Sequence, residues 1–304
     1  MRAYSNVIFY MLFTALSFTF IDKLGDLINP LFSLFFMAAC ATIWFNLVNY
    51  KNLNNLYTKC KQHKLLYVLV TITIGINWLC SIFAPNKSDP FVYIAAAFIT
   101  MAICGLISKK KESWAEFYIE WGCIILLALS AISMHYNYSI HVNKSTDVGL
   151  VLGAISGVSG YYYSIFSSKF ARVCSFSASQ VLALRFWPLI VVLGIFILSR
   201  HLEFLLKWDS FMMLALMSFL SLIIPVFFLQ KAIVMLNVNK LSISLAATPI
   251  ICFLTYAIST KRFNLSNFII CIVLTLVLIL SKILLIYIKH RLSRHKHKLE
   301  KQIK

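Results

Sequence analysis

Ten apolar stretches of about twenty residues, separated by short polar or charged segments, leave this chain few ways to fold. They cover residues 4–21, 28–48, 65–84, 90–108, 117–136, 148–168, 178–199, 210–233, 241–259 and 265–287. A helix rising 1.5 Å per residue needs roughly 20 apolar residues to cross about 30 Å of hydrocarbon, so each run is long enough to span. The surface of a water-soluble domain draws on charged side chains that make up roughly 25% of its residues. Here they make up 12%, and the mean hydropathy is +0.84. The pattern predicts an all-α integral membrane protein with about ten transmembrane helices, most of whose surface meets lipid. No interval is long enough for a separate soluble domain. The first run lacks a small-residue cleavage site and reads as a retained helix.

The net charge of +18 is not the footprint of a nucleic-acid groove, because the basic residues fall in clusters between apolar runs. Such clusters are topogenic: Lys and Arg collect on the cytoplasmic side and meet anionic headgroups there. With the N-terminus inside, the inner segments hold Lys51, Lys59, Lys61 and Lys64, then Lys109, Lys110 and Lys111, and the basic end running to Lys304. In all, 19 of the 28 Lys and Arg fall inside and 7 outside, leaving Arg185 and Lys231 within runs. An even number of helices with both termini cytoplasmic follows, as in a bacterial inner membrane protein. Membrane lipids and a small-molecule substrate are the expected partners, with no nucleic acid and a monomeric or homodimeric state.

The eight cysteines form no C-x-x-C pair and mostly sit in apolar runs, where cysteine acts as a small hydrophobe. No metal or cofactor is predicted. All ten acidic residues fall at run ends or in loops, so no carboxylate stands in the membrane core to carry protons. His135, near the outer end of the fifth run, is a candidate for that role.

The chain also carries faint self-similarity. The fourth run with its basic stop (Ala97-Phe98-Ile99-Thr100 through Lys111-Glu112-Ser113-Trp114) parallels the ninth (Thr248-Pro249-Ile250-Ile251 through Arg262-Phe263-Asn264-Leu265). Five helices per copy would insert the second copy upside down. Inverted repeats of this kind hold their substrate where the two copies meet, near the membrane midplane.

The second half carries Gly153-Ala154-Ile155-Ser156-Gly157, Tyr161-Tyr162-Tyr163, Leu184-Arg185-Phe186, the run Pro225–Ile233, and Ser242 through Thr248-Pro249-Ile250 to Lys261-Arg262. In these stretches it resembles the EamA-like domain of the drug/metabolite transporter superfamily, and the first half resembles it more faintly. The resemblance implies two inverted five-helix repeats, 1–140 and 147–290, around a central cavity, with 291–304 as a basic cytoplasmic tail. It also implies transport of metabolites such as amino acids, nucleotides, sugars or drugs. The chain departs from the family pattern where Thr248 stands for a Glu before the proline, where Ala97-Phe98 stand for a Glu-Pro pair, and near Phe36 and Met37, where an arginine is missing. The substrate does not carry over.

A charge in the bilayer costs roughly 3 kcal/mol or more, so Arg185 and Lys231 are the first candidates for a substrate site. Two roles are open to Arg185: snorkelling to the inner headgroups, or attracting a carboxylate or phosphate at the cavity mouth. Lys231 either caps a helix end or serves the same anion. Gln230, Thr248, Asn77 and Asn46 offer uncharged hydrogen bonds, and Trp78, Tyr161, Tyr162 and Tyr163 offer stacking faces. Pro188, Pro225 and Pro249 interrupt three runs and mark either hinges or static kinks. The expected function is a secondary transporter of a zwitterionic or anionic solute, an amino acid or a relative of one, working by alternating access. A lipid flippase or small-molecule channel is the alternative. A membrane enzyme would need an acid/base pair at one membrane face, and none is present.

Overall fold

The computed structural model describes residues 2–25, 28–87, 90–108, 146–200, 208–245 and 247–260 continuously, with scattered residues between 114 and 133 and between 265 and 284. His135 and the basic tail, much of the tenth predicted run and part of the fifth therefore lie outside the described residues. Among those described there is helix and no strand.

Helix α1 spans Arg2–Gly25 and α2 spans Pro30–Val48. The start of α2 is set locally: Asn29 Oδ1 accepts the Leu31 N–H at 3.0 Å, and Pro30 supplies a helical φ without needing a donor. A short turn leads into α3, Leu53–Gln62, in the segment read from sequence as a long inner connection. Its buried Leu56 and Cys60 lie four apart on one face, while Lys59 and Lys61 close its last turn. Helices α4 (Lys64–Lys87), α5 (Pro90–Ile107) and α6 (Thr146–Cys174) follow.

The end of α6 is built from identifiable residues. Ser175 takes a left-handed φ of 55°, which lets its N–H reach the Arg172 carbonyl at 3.3 Å and the Phe176 N–H reach Ala171 at 2.8 Å. This double closure is the Schellman arrangement, and Phe176 completes it by packing edge-on against Phe170. Ser177 then opens α7 (Ala178–Leu184): it caps the Gln180 N–H while the Gln180 side chain returns to the Ser177 N–H. After a turn at Arg185-Phe186 the chain resumes as α8, Trp187–Ser199.

Helix α9 (Trp208–Met217) widens into a π-helical turn at Ser218–Ile223 before α10, Ile224–Met235. Pro225 has no N–H for the Ser221 carbonyl and its ring crowds that carbonyl, so the upstream hydrogen bonds shift register. Helices α11 (Val238–Leu245) and α12 (Thr248–Thr260) complete the described fold.

Helix α6 lies along α4 and α5 at the centre. Glycine makes its approach to α5 possible: a Cβ at Gly153 would stand 2.6 Å from Ala96 Cβ and 2.7 Å from the Tyr93 carbonyl, and one at Gly157 would stand 2.8 Å from Thr100 Cβ. Helix α1 packs on α10 and α12, with Phe9 and Phe13 stacked on Phe228 at 5.1 and 6.3 Å.

Five helical stretches are long and apolar enough to cross a membrane: Pro30–Val48, Lys64–Ala84, Asp147–Cys174, Ala178–Ser199 and Ser210–Met235. Shorter apolar helices run over Ala3–Ser17, Val92–Ile107 and Phe117–Leu126. The outward face of α8 is uniformly apolar, with Val192, Ile195 and Leu198 63%, 64% and 66% exposed. A protein that meets only water does not keep such faces bare over several helices.

Candidate functional site

The turn between α7 and α8 organises the centre of the molecule. Because Pro188 has no N–H, the Leu184 carbonyl loses its helical donor, and the Tyr67 hydroxyl supplies one at 3.3 Å. Asn46 Nδ2 donates to the neighbouring Ala183 carbonyl at 2.9 Å. Asn46 is itself held by the Tyr57 hydroxyl at 2.8 Å, and Tyr57 in turn accepts from Trp187 Nε1 at 2.8 Å. Side chains from α2, α3 and α4 thus satisfy the backbone that the break frees.

Arg185 sits at this break and is 1% exposed. Its Nη1 donates to the Tyr163 hydroxyl at 2.8 Å, and its Cζ lies 4.2 Å from the Phe186 ring centroid. The Tyr163 hydroxyl passes its own hydrogen to Gln230 Oε1 at 2.7 Å, and Ser167 closes the chain against the Gln230 amide, accepting from Nε2 at 2.8 Å. Nε and Nη2 of Arg185 have no hydrogen-bond partner among the described residues. Arginine stays protonated in proteins, so a full positive charge is buried with two nitrogens open. Leaving buried donors of a charged group unmet costs several kcal/mol, which makes Arg185 the leading candidate for contact with a solute.

Arg185 lines the smaller of two neighbouring cavity lobes, whose volumes are about 80 and 70 Å3. The lobes share Tyr10, Thr14, Asn77 and Ser81 among their walls. Trp78, Ser17 and Ser221 also belong to the smaller lobe, and the Ser221 hydroxyl, at the π-helical turn, has no partner among the described residues. The larger lobe carries a neutral polar wall: Tyr93 bonds Ser81 at 2.7 Å and Ser156 at 2.8 Å, and Asn77 Nδ2 donates to Ser156 Oγ at 2.8 Å. Among the described residues no acidic side chain lines either lobe. Several waters, or one small solute, fit such a space.

The sequence candidates separate into three groups. Arg185, Asn77 and Trp78 line the cavity, Trp78 meeting the Phe186 ring edge-on at 6.4 Å. Gln230 stands one hydrogen bond behind it, through Tyr163. Lys231, Thr248 and Tyr162 line neither lobe. Lys231 Nζ lies 4.3 Å from the Phe227 ring centroid, the Thr248 hydroxyl bonds back to the Leu245 carbonyl, and Tyr162 is 46% exposed and stacked on Phe166.

Sequence reasoning missed Tyr93, Thr14, Ser81 and Ser156, and offered Tyr163 only as a stacking face. One signal was present: Ser156, Gly160, Tyr163 and Ser167 recur at helical spacing and form a single stripe of α6, which selects Tyr163 from the three consecutive tyrosines.

No family model and no curated protein matches the chain. Sixteen chains of solved structures do match. One is a crystal structure with 12% sequence identity, which superposes with a TM-score of 0.65 over 93% of this chain and 96% of its own length. That likeness concerns the fold alone.

Proposed function

We propose that the chain is a multi-pass membrane transporter that moves a small anionic or zwitterionic metabolite, an amino acid or a related solute, by alternating access. Ten membrane helices in two inverted five-helix repeats, as in EamA-like transporters, form its architecture, with both termini cytoplasmic. The observation that carries this reading is the Arg185 guanidinium: the residue is buried beside a cavity lobe, and two of its nitrogens have no hydrogen-bond partner among the described residues. A purely structural arginine would be fully satisfied by the protein around it. The five long apolar helices and the bare hydrophobic faces support the membrane setting.

In the proposed cycle the solute enters the cavity from one side and its negative group meets Arg185. Asn77, Ser81, Tyr93 and Ser156 hold its uncharged polar end. The broken segment α7–α8 is the element positioned to reorient around it, since its freed carbonyls are held by side chains rather than by continuous helix.

Uptake into proteoliposomes across amino acids, other small carboxylates, nucleotides and cationic dyes tests the reading. Saturable uptake of an anionic or zwitterionic solute, lost in Arg185→Ala while the variant remains folded, is the expected result. Flip-flop of labelled lipid without solute uptake would replace the transporter by a flippase, and unselective, non-saturating flux would replace it by a channel.

A further inference from the structure

Within the transport reading, which this inference presupposes for its setting, the geometry points to a single carboxylate bound side-on to Arg185 as the feature by which the cavity selects its solute. In a guanidinium, Nε–H and one Nη2–H lie on the same edge and point in parallel, while Nη1 belongs to the opposite edge. Arg185 spends Nη1 on Tyr163, at 2.8 Å, and leaves unpartnered the two nitrogens of the parallel edge. That edge matches the two oxygens of a carboxylate and makes a two-bond contact that a lone ammonium or a single hydroxyl cannot reproduce.

The side chain has little freedom to turn another edge inward. Tyr163 is locked to Gln230 at 2.7 Å, and the guanidinium lies on the Phe186 ring. The parallel pair is therefore pre-set before a ligand arrives, which lowers the ordering cost of binding.

Charge narrows the class further. Among the described residues Arg185 is the one cationic side chain lining the cavity, and no acidic one lines it. A solute with one negative charge leaves the filled cavity neutral. A phosphate monoester would bring a second charge with no partner, because Lys231 lies outside the lining and against Phe227. A cation would meet the guanidinium's own charge at low dielectric. The remaining wall of Asn77, Ser81, Tyr93 and Thr14 is neutral and suits a hydroxyl rather than a charged ammonium. Volumes of about 80 and 70 Å3 restrict the solute to a few carbons. The assigned class is small monocarboxylates with an uncharged polar substituent, hydroxy acids first; a zwitterionic amino acid would leave its ammonium beside the guanidinium without an acidic partner among the described residues.

The test is equilibrium binding to the full chain purified in detergent, followed by thermal shift and calorimetry. Carboxylates of two to six carbons are paired with their primary amides, and glycerol 3-phosphate and choline are included. At least one carboxylate should bind saturably and at least tenfold more tightly than its amide, than glycerol 3-phosphate and than choline. Arg185→Lys keeps the charge but loses the parallel pair, and should cost at least tenfold in carboxylate affinity. If that variant does not fold, the carboxylate–amide comparison in the unaltered chain decides alone. Equal binding of an acid and its amide, tighter binding of the phosphate ester, or no binding by any carboxylate would overturn the assignment. Carboxylate-selective binding without uptake in proteoliposomes removes the transport reading and leaves this one. Uptake that does not distinguish acid from amide does the reverse.

Discussion

Tyr163 is the residue on which the geometry of the buried charge depends. Its hydroxyl accepts from Arg185 and donates to Gln230, so Tyr163→Phe strands a guanidinium N–H and leaves the amide oxygen with Ser167 alone. Unmet buried partners cost about 1–3 kcal/mol each. Tyr163→Phe should therefore lower the melting temperature by several degrees in a detergent thermal scan and weaken solute binding. Gln230→Leu, which removes the partner further from the charge, should lower stability with a smaller effect on binding. Equal effects on both readouts would show that the chain does not orient Arg185. At this scale the sequence was half legible. Arg185 and Asn77 stand out because charge and amide are rare in an apolar run. The cavity hydroxyls do not, since serine and threonine in a helix bond back to the preceding turn wherever they point. Ser81 bonds the Asn77 carbonyl and lines the cavity, while the exposed Ser108 makes the same bond to Cys104 four residues upstream.

Helix ends and breaks were more legible than helix faces. The Asn29-Pro30 start, the Ser177-to-Gln180 box and the prolines at 188 and 225 each declare a local event that the structure contains. Which way the broken ends are satisfied was not readable, because Asn46 and Tyr67 reach Ala183 and Leu184 from helices more than a hundred residues away. The close contact of α5 and α6 gives a sharp test at the scale of elements. Gly157→Leu must displace Thr100 and the α5 backbone and should cost about 3 kcal/mol or more, read as loss of monodisperse folded protein. Gly122→Leu, where an added Cβ meets nothing within 4 Å, should be neutral in the same assay. Helix α3 gives a second. Burial pushes the Cys60 thiol from 9.0 up to about 11, and nearby Cys174 adds to the shift. Its alkylation by maleimide should be slow at pH 8 and keep rising to about pH 11, where an exposed thiol levels off near 9. The folded state holds this proton more tightly than the unfolded one, so its contribution is complete below pH 9 and is lost as pH rises through 9 to 11.

For the molecule as a whole, the distribution of charge and the position of α3 make one statement about orientation. The segment that carries Lys51, Lys59, Lys61 and Lys64 folds as α3 against the α7–α8 break: Tyr57 reaches Asn46, Trp187 reaches Tyr57, and Lys59 Nζ donates to the Cys174 carbonyl at 3.0 Å at the end of α6. The basic connection therefore lies at the same end of the helices as the end of α6. If Lys and Arg mark the cytoplasm, α3 and the loop after α6 face it, and the proposed even helix count brings the C-terminus to the same side. Reporter fusions check this directly. A reporter active only in the cytoplasm should be active when fused after residue 60, after residue 176 and at the C-terminus, and silent after residue 144. Activity after residue 60 with silence at the C-terminus would require an odd number of crossings between them. Two inverted copies of five helices could not then be the architecture, whatever the solute proved to be.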